Sequence, residues 1–202
     1  MLNKSESTGV PLGSLRKFKI GVMGSAREPE NSFPGQQAYA LGKQAAINGA
    51  ILLTGGCPGL PHSAVLGAME NGGMTIAVSP AMNRMNHLND FGYPVDSETM
   101  IFTGMGNKGR NVVLVRSCDA CVFVSGGMGT LNEFTIAFDD FCENNVIGIL
   151  ESSGGFSDNY IELARASGKK TRATILSNPD PIDLVDSVIE HLVKLNLNNG
   201  PC

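Results

Sequence analysis

The sequence predicts an α/β protein: a doubly wound, mainly parallel Rossmann-like sheet with helices on both faces. Three observations predict it. From Phe18 onward, short apolar runs alternate with stretches of helical character. The run Ala120 to Val124 is apolar at every position, as strands covered on both faces are. Glycine-rich turns follow three of the strands directly, at the carboxyl edge where open sheets of this kind bind ligands.

The elements follow in order. Lys19 to Met23 is the first strand, and a helix runs from Gly35 to Asn48 behind Pro34, a residue suited to a first helical turn. Ala50 to Thr54 is the second strand, Leu60 to Asn71 a helix, and Met74 to Val78 the third strand. Pro80 to Thr99 is rich in Asn, Asp, Pro and Met and has no clear period, so it reads as a functional loop or a small lid. Met100 to Thr103 is a strand, Asn107 to Ser117 a helix, and Ala120 to Val124 the fifth strand. The helix Thr130 to Cys142, the strand Val146 to Leu150, a helix near Tyr160 to Ser167, the strand Ala173 to Leu176 and a helix from Pro181 to Leu195 complete the series.

A chain of 202 residues is long enough for one well-packed core, so residues 18–197 are expected to form a single domain between a flexible leader, 1–17, and a short tail, 198–202. With 42% hydrophobic and 17% charged residues, the composition is that of a globular protein and excludes a solvated tail. A net charge of −4, with Lys169, Lys170 and Arg172 as the only short basic run near the end of the chain, argues against a nucleic-acid surface. No stretch has the length of a membrane span, and residues 1–15 lack the apolar core of a signal peptide, so a cytoplasmic location is expected. Five cysteines in mostly apolar surroundings suit reduced thiols. Cys118 and Cys121 form a lone CxxC without a second pair, which argues against zinc.

The chemistry concentrates in Ser125-Gly126-Gly127-Met128-Gly129-Thr130-Leu131-Asn132-Glu133, where a glycine-rich turn leads from a buried strand into a helix. A helix N-terminus offers unpaired N–H groups and positive potential, so it holds an anion with backbone alone. Glu133 lies about one turn further on, close enough to act on a ligand whose phosphate is anchored there. Gly24-Ser25 after the first strand and Gly55-Gly56 after the second reach the same edge, either as further ligand contacts or as tight turns. Neither GxGxxG nor GxxxxGK[ST] is present, so the usual templates for NAD binding and ATP hydrolysis are missing. Arg110, near the start of the preceding helix, is placed at the same edge as Glu133.

These residues resemble the LOG (Lonely guy) proteins, the cytokinin riboside 5′-monophosphate phosphoribohydrolases often labelled lysine decarboxylases. The resemblance rests on Gly24-Ser25, on Thr54-Gly55-Gly56 with Gly59-Leu60, and on an arginine fifteen residues before SGGxGTxxE, and it spans roughly Phe18 to Leu150. It implies a phosphate loop at Gly126, Gly127, Met128, Gly129 and Thr130, nucleotide contacts at Gly24, Ser25, Gly55 and Gly56, and catalytic residues at Arg110 and Glu133. The implied reaction is hydrolysis of an AMP-like nucleoside 5′-monophosphate to free base and ribose 5-phosphate, without cofactor or metal. The alternative is a sensor that binds the nucleotide intact. A pyridoxal-dependent decarboxylase is a distant third, since Lys108 is the one lysine close to the motif. The resemblance also implies a homo-oligomer, with Phe134, Ile136, Phe138 and Phe141 either as apolar pairing surface or, for the most part, as ordinary core. Three departures point to a divergent bacterial branch: Ser125 where the family carries proline, Lys108-Gly109 ahead of Arg110-Asn111, and Gly59-Leu60-Pro61-His62. His62 is expected to be a satisfied loop histidine or, less simply, a ligand contact.

Overall fold

The computed structural model describes residues 17–199; residues 1–16 of the predicted leader and 200–202 of the predicted tail, Cys202 among them, lie outside these, while residues 198 and 199 continue the last helix. Seven strands alternate with seven helices: β1 (Lys19–Gly24), α1 (Phe33–Ile47), β2 (Ile51–Thr54), α2 (Leu60–Met69), β3 (Met74–Ser79), α3 (Arg84–Asn89), β4 (Thr99–Phe102), α4 (Gly106–Arg116), β5 (Ala120–Val124), α5 (Met128–Asp140), β6 (Val146–Leu150), α6 (Tyr160–Ala166), β7 (Thr174–Asn178) and α7 (Pro181–Asn199). A single 3-10 turn, Ser157–Asn159, leads into α6. The strands form one sheet in the order β4-β3-β2-β1-β5-β6-β7. Every pair is parallel. The order reverses between β1 and β5, so the chains leaving those two strands diverge and open a crevice at their carboxyl ends.

Strand residues alternate between two cores. Ile20, Val22, Leu52, Val122 and Val124 pack against α1, α2 and α7 on one face. Met23, Leu53, Cys121, Phe123, Ile147 and Ile149 pack against α4, α5 and the α6 region on the other. On this second face Phe134 stacks on Tyr160 with ring centroids 4.6 Å apart, and both meet Phe123 edge-on. That cluster fixes the start of α5 over the end of β5, which sets the aim of the intervening turn.

Two differences from the sequence reading have local causes. The Pro80–Thr99 segment contains α3, a helix of six residues that is too short to show a period; the Asn83 side chain caps it by accepting from the Asn86 N–H at 2.9 Å. Helix α5 begins at Met128, two residues before Thr130, with Gly127 as its N-cap. Of the two roles open to the aromatics in and just after α5, the structure gives ordinary core: Phe134, Phe138 and Phe141 are 2%, 8% and 3% exposed.

Candidate functional site

The glycines after β5 serve two different ends. Gly126 has a φ of +104°, and a Cβ there would fall 2.5 Å from the Thr130 hydroxyl, so the fold itself requires glycine. Gly127 and Gly129 have nothing within 4 Å of where a Cβ would stand. Both line a cavity of about 610 Å³ together with Gly24, Ser25, Ala26, Arg27, Met128 and Thr130. The first intrahelical bond of α5 runs from the Leu131 N–H to the Gly127 carbonyl, so the N–H groups of Gly127 through Thr130 precede the helical ladder. Backbone donors, a bare wall and the positive helix end therefore coincide on one side of the cavity.

The turn is braced from behind. The Ser125 N–H donates to Ser153 Oγ at 2.8 Å, and the Phe156 N–H donates to the Gly126 carbonyl at 3.0 Å. Gly155 comes so close that a Cβ would lie 2.3 Å from that carbonyl oxygen. Ser125 has a φ of +49°, which a proline ring forbids, and its hydroxyl donates to Glu28 Oε2 at 2.8 Å. Ser125 thus carries two bonds and a backbone angle that the family's proline has no means of supplying.

Arg110 and Glu133 meet in the cavity wall, Nη1 to Oε1 at 3.7 Å, and both are almost fully buried. The distance is an ion pair without a tight hydrogen bond. Burial pushes the Glu133 carboxyl up to about 7, although Arg110 and Lys108 pull it down. Turned so that its nitrogen faces α5, the Asn111 amide donates to Glu133 Oε1 at 3.1 Å and to the Asn107 carbonyl at 2.9 Å. Arg110 Nε is buried with no hydrogen-bond partner among the described residues. Lys108 Nζ reaches the Met128 carbonyl at 3.4 Å, across the mouth of the turn.

Gly24 and Ser25 join this wall, whereas Gly55 and Gly56 stand behind it. A Cβ on Gly55 would lie 1.8 Å from Arg110 Nη1, so this glycine seats the guanidinium; Gly56, with a φ of +63°, turns the chain beside Ala77 and His87. The cavity also contains residues that the sequence did not single out for it: Arg27, Cys57, Tyr93, Asn107 and Asn111. Tyr93 comes from the irregular 80–99 segment, whose length was the signal for it. It packs edge-on to His87, a fully buried ring held by Ser79 Oγ at 2.8 Å and the Pro94 carbonyl at 2.8 Å. Burial pushes the Cys57 thiol up to about 11, so this cysteine is a neutral wall residue near neutral pH. His62 is a satisfied histidine, though on a helix rather than a loop: it stands in the first turn of α2 and is held by Glu30 and Asp96. Among the described residues no cluster of three or more His, Cys, Asp or Glu side chains is arranged to hold a metal ion, and no helix is long and apolar enough to cross a membrane.

Comparison with known proteins places this geometry. The model of the SLOG cluster4 family matches residues 17–182, most of the chain. The chain belongs to the SLOG cluster4 family. The LOG-type motifs therefore sit in a LOG-like, Rossmann-type framework, which supports nucleotide-related binding. An uncharacterised protein of Archaeoglobus fulgidus is 33% identical over 126 residues, 62% of this chain and 77% of that protein. The molybdenum cofactor binding protein of Rippkaea orientalis is 31% identical with a TM-score of 0.64, covering 87% of this SLOG cluster4 chain and 99% of its own. The Moco carrier protein of Chlamydomonas reinhardtii is 28% identical with a TM-score of 0.68, covering 89% and 99% respectively.

Proposed function

We propose that this protein binds and carries a phosphorylated heterocycle of the molybdenum-cofactor class, a pterin with a terminal phosphate, as cargo rather than as a resident cofactor. The observation that carries the reading is the pair Gly127 and Gly129, bare on the cavity side at the N-terminus of α5 although the protein's own packing does not require it. A phosphate seated there accepts hydrogen bonds from the N–H groups of Gly127 to Thr130 and gains from the positive helix end. Lys108 and Arg27 at the mouth add charge of the right sign. Arg110, with an unpaired buried donor, faces the part of the ligand next to the phosphate. The two named molybdenum-cofactor proteins, near 30% identity over almost their full length, support this cargo over AMP.

A second reading, hydrolysis of a nucleoside 5′-monophosphate, is favoured by one observation: Glu133 meets Arg110 beside the anion seat. Cleavage of an N-glycosidic bond builds positive charge on the ribose, and an ionised carboxylate stabilises that charge or takes a proton from the attacking water. With its carboxyl pushed up to about 7, Glu133 is partly ionised at neutral pH, which suits a general base that takes a proton from water, while only its ionised fraction stabilises the ribose cation. The experiment is an equilibrium titration of the protein with a phosphorylated pterin and with AMP, followed by chromatography of the recovered ligand. Micromolar or tighter binding of the pterin, recovered intact, is the expected result. Free adenine above a Glu133→Ala control would install the second reading, and no binding of either ligand would overturn both.

A further inference from the structure

We propose that His62 is a positioning residue that clasps the two loops walling the cavity, and that the clasp opens when its imidazole loses a proton. His62 lies in the first turn of α2 with its side chain 16% exposed. Its Nδ1 is 2.6 Å from Glu30 Oε1 and its Nε2 is 2.9 Å from Asp96 Oδ2. An ionised carboxylate only accepts hydrogen bonds, and an imidazole donates from both nitrogens only as the cation. A neutral ring must turn one lone pair toward one of the two carboxylates, so that arm of the clasp is lost.

The arms lead to the cavity. Glu30 follows Arg27 by three residues, in the loop whose Ser25, Ala26 and Arg27 line one wall. Asp96 follows Tyr93 by three residues, in the segment that supplies the facing wall. The near end of the first loop is tied independently of His62: the Leu60 N–H donates to the Ser25 carbonyl at 3.0 Å, and Ser125 holds Glu28 at 2.8 Å. The far end keeps a local turn, the Ser32 N–H donating to the Pro29 carbonyl at 3.1 Å, so loss of the Glu30 arm loosens the loop between its ends while leaving the anion seat in place. The charged groups that face the ring are Glu30 from the β1–α1 loop and Asp96 from the segment ahead of β4; α2 contributes no acidic residue in its first turn. Both carboxylates are about half exposed, which keeps the effect to a few-fold change in loop opening.

The test needs no ligand and so stands apart from the proposed cargo. In the free protein, imidazole nitrogen NMR follows His62 from pH 5.5 to 8.5 while hydrogen exchange is read at the backbone amides of residues 26–31 and 91–96. The expected result is protonation of both ring nitrogens at the acid end, and a rise of roughly threefold in loop opening, corrected for intrinsic exchange, as the ring deprotonates. His62→Gln should open both loops at every pH with no inflection. Glu30→Gln should release only 26–31 and Asp96→Asn only 91–96, and these surface changes keep the test available if His62→Gln folds poorly. Because the Glu133 carboxyl is pushed up to about 7, the inflection must vanish in His62→Gln and persist in Glu133→Gln. Unchanged loop protection through the titration of His62, or protection in His62→Gln equal to wild type, would overturn the proposal.

Discussion

Two glycine turns, Gly55-Gly56 after β2 and Gly126 to Gly129 after β5, look alike in the sequence and reach the same edge of the sheet, yet their bare backbones face different things. The protein fills the space beside Gly55 with its own Arg110 guanidinium, and Gly56 supplies a left-handed turn. Beside Gly127 and Gly129 the protein leaves the space empty, at the mouth of a helix. Glycine therefore marks a seat for a side chain in the first turn and an open cavity wall in the second, which the proposed function fills with a phosphate. The two meet through Arg110, which rests on one turn and faces the cavity of the other.

Replacing one glycine in each turn is the sharpest way to break this comparison. Gly129→Asp should abolish binding of a phosphorylated ligand, by about 100-fold or more, since a carboxylate then occupies the anion seat. Stability should change by no more than about 0.5 kcal/mol, because the added side chain points into open space at a helix start. Calorimetric titration and chemical denaturation read the two effects; a large loss of stability would show that this glycine serves the fold. Gly55→Ala should do the reverse in emphasis. Its methyl group displaces the guanidinium, with a cost of about 1–3 kcal/mol in denaturation and a roughly tenfold loss of affinity through Arg110. Unchanged stability would mean that Arg110 moves aside freely.

The smallest expected effect concerns Glu133. Its carboxyl is raised from 4.5 to about 7 in the folded state, so the folded form binds a proton that the unfolded form has already released. The resulting penalty is absent below about pH 4.5, grows between 4.5 and 7, and is complete above 7. Glu133→Gln should therefore be more stable than wild type by about 1 kcal/mol at pH 8, an advantage that fades toward pH 5. The magnitude stays below the full linkage value because Arg110 loses its counter-charge. Denaturant melts at the two pH values check it, and a variant less stable at pH 8 would place the weight on the ion pair instead.

Much of this was legible in the sequence. The all-apolar run Ala120 to Val124 marked a buried strand, and the alternation of elements marked the strands as parallel, though not their order. The pairing of Arg110 with Glu133 followed from two helix starts at one edge of a sheet. What stayed hidden depends on distance in the chain. Tyr93 reaches the cavity because His87 holds its segment, and nothing local to Tyr93 announces that. Glu28 and Ser153 brace Ser125 from 97 and 28 residues away. The different uses of Gly55 and Gly129 were equally hidden, because a missing side chain says nothing of what stands in its place.

The most direct test of the anion seat is the affinity of the wild-type protein for a phosphorylated pterin against the same pterin with its phosphate removed. The account predicts that the dephosphorylated form binds at least about 100-fold more weakly, since the N–H groups of Gly127 to Thr130 then lose their acceptor. Equal affinity for the two would contradict it.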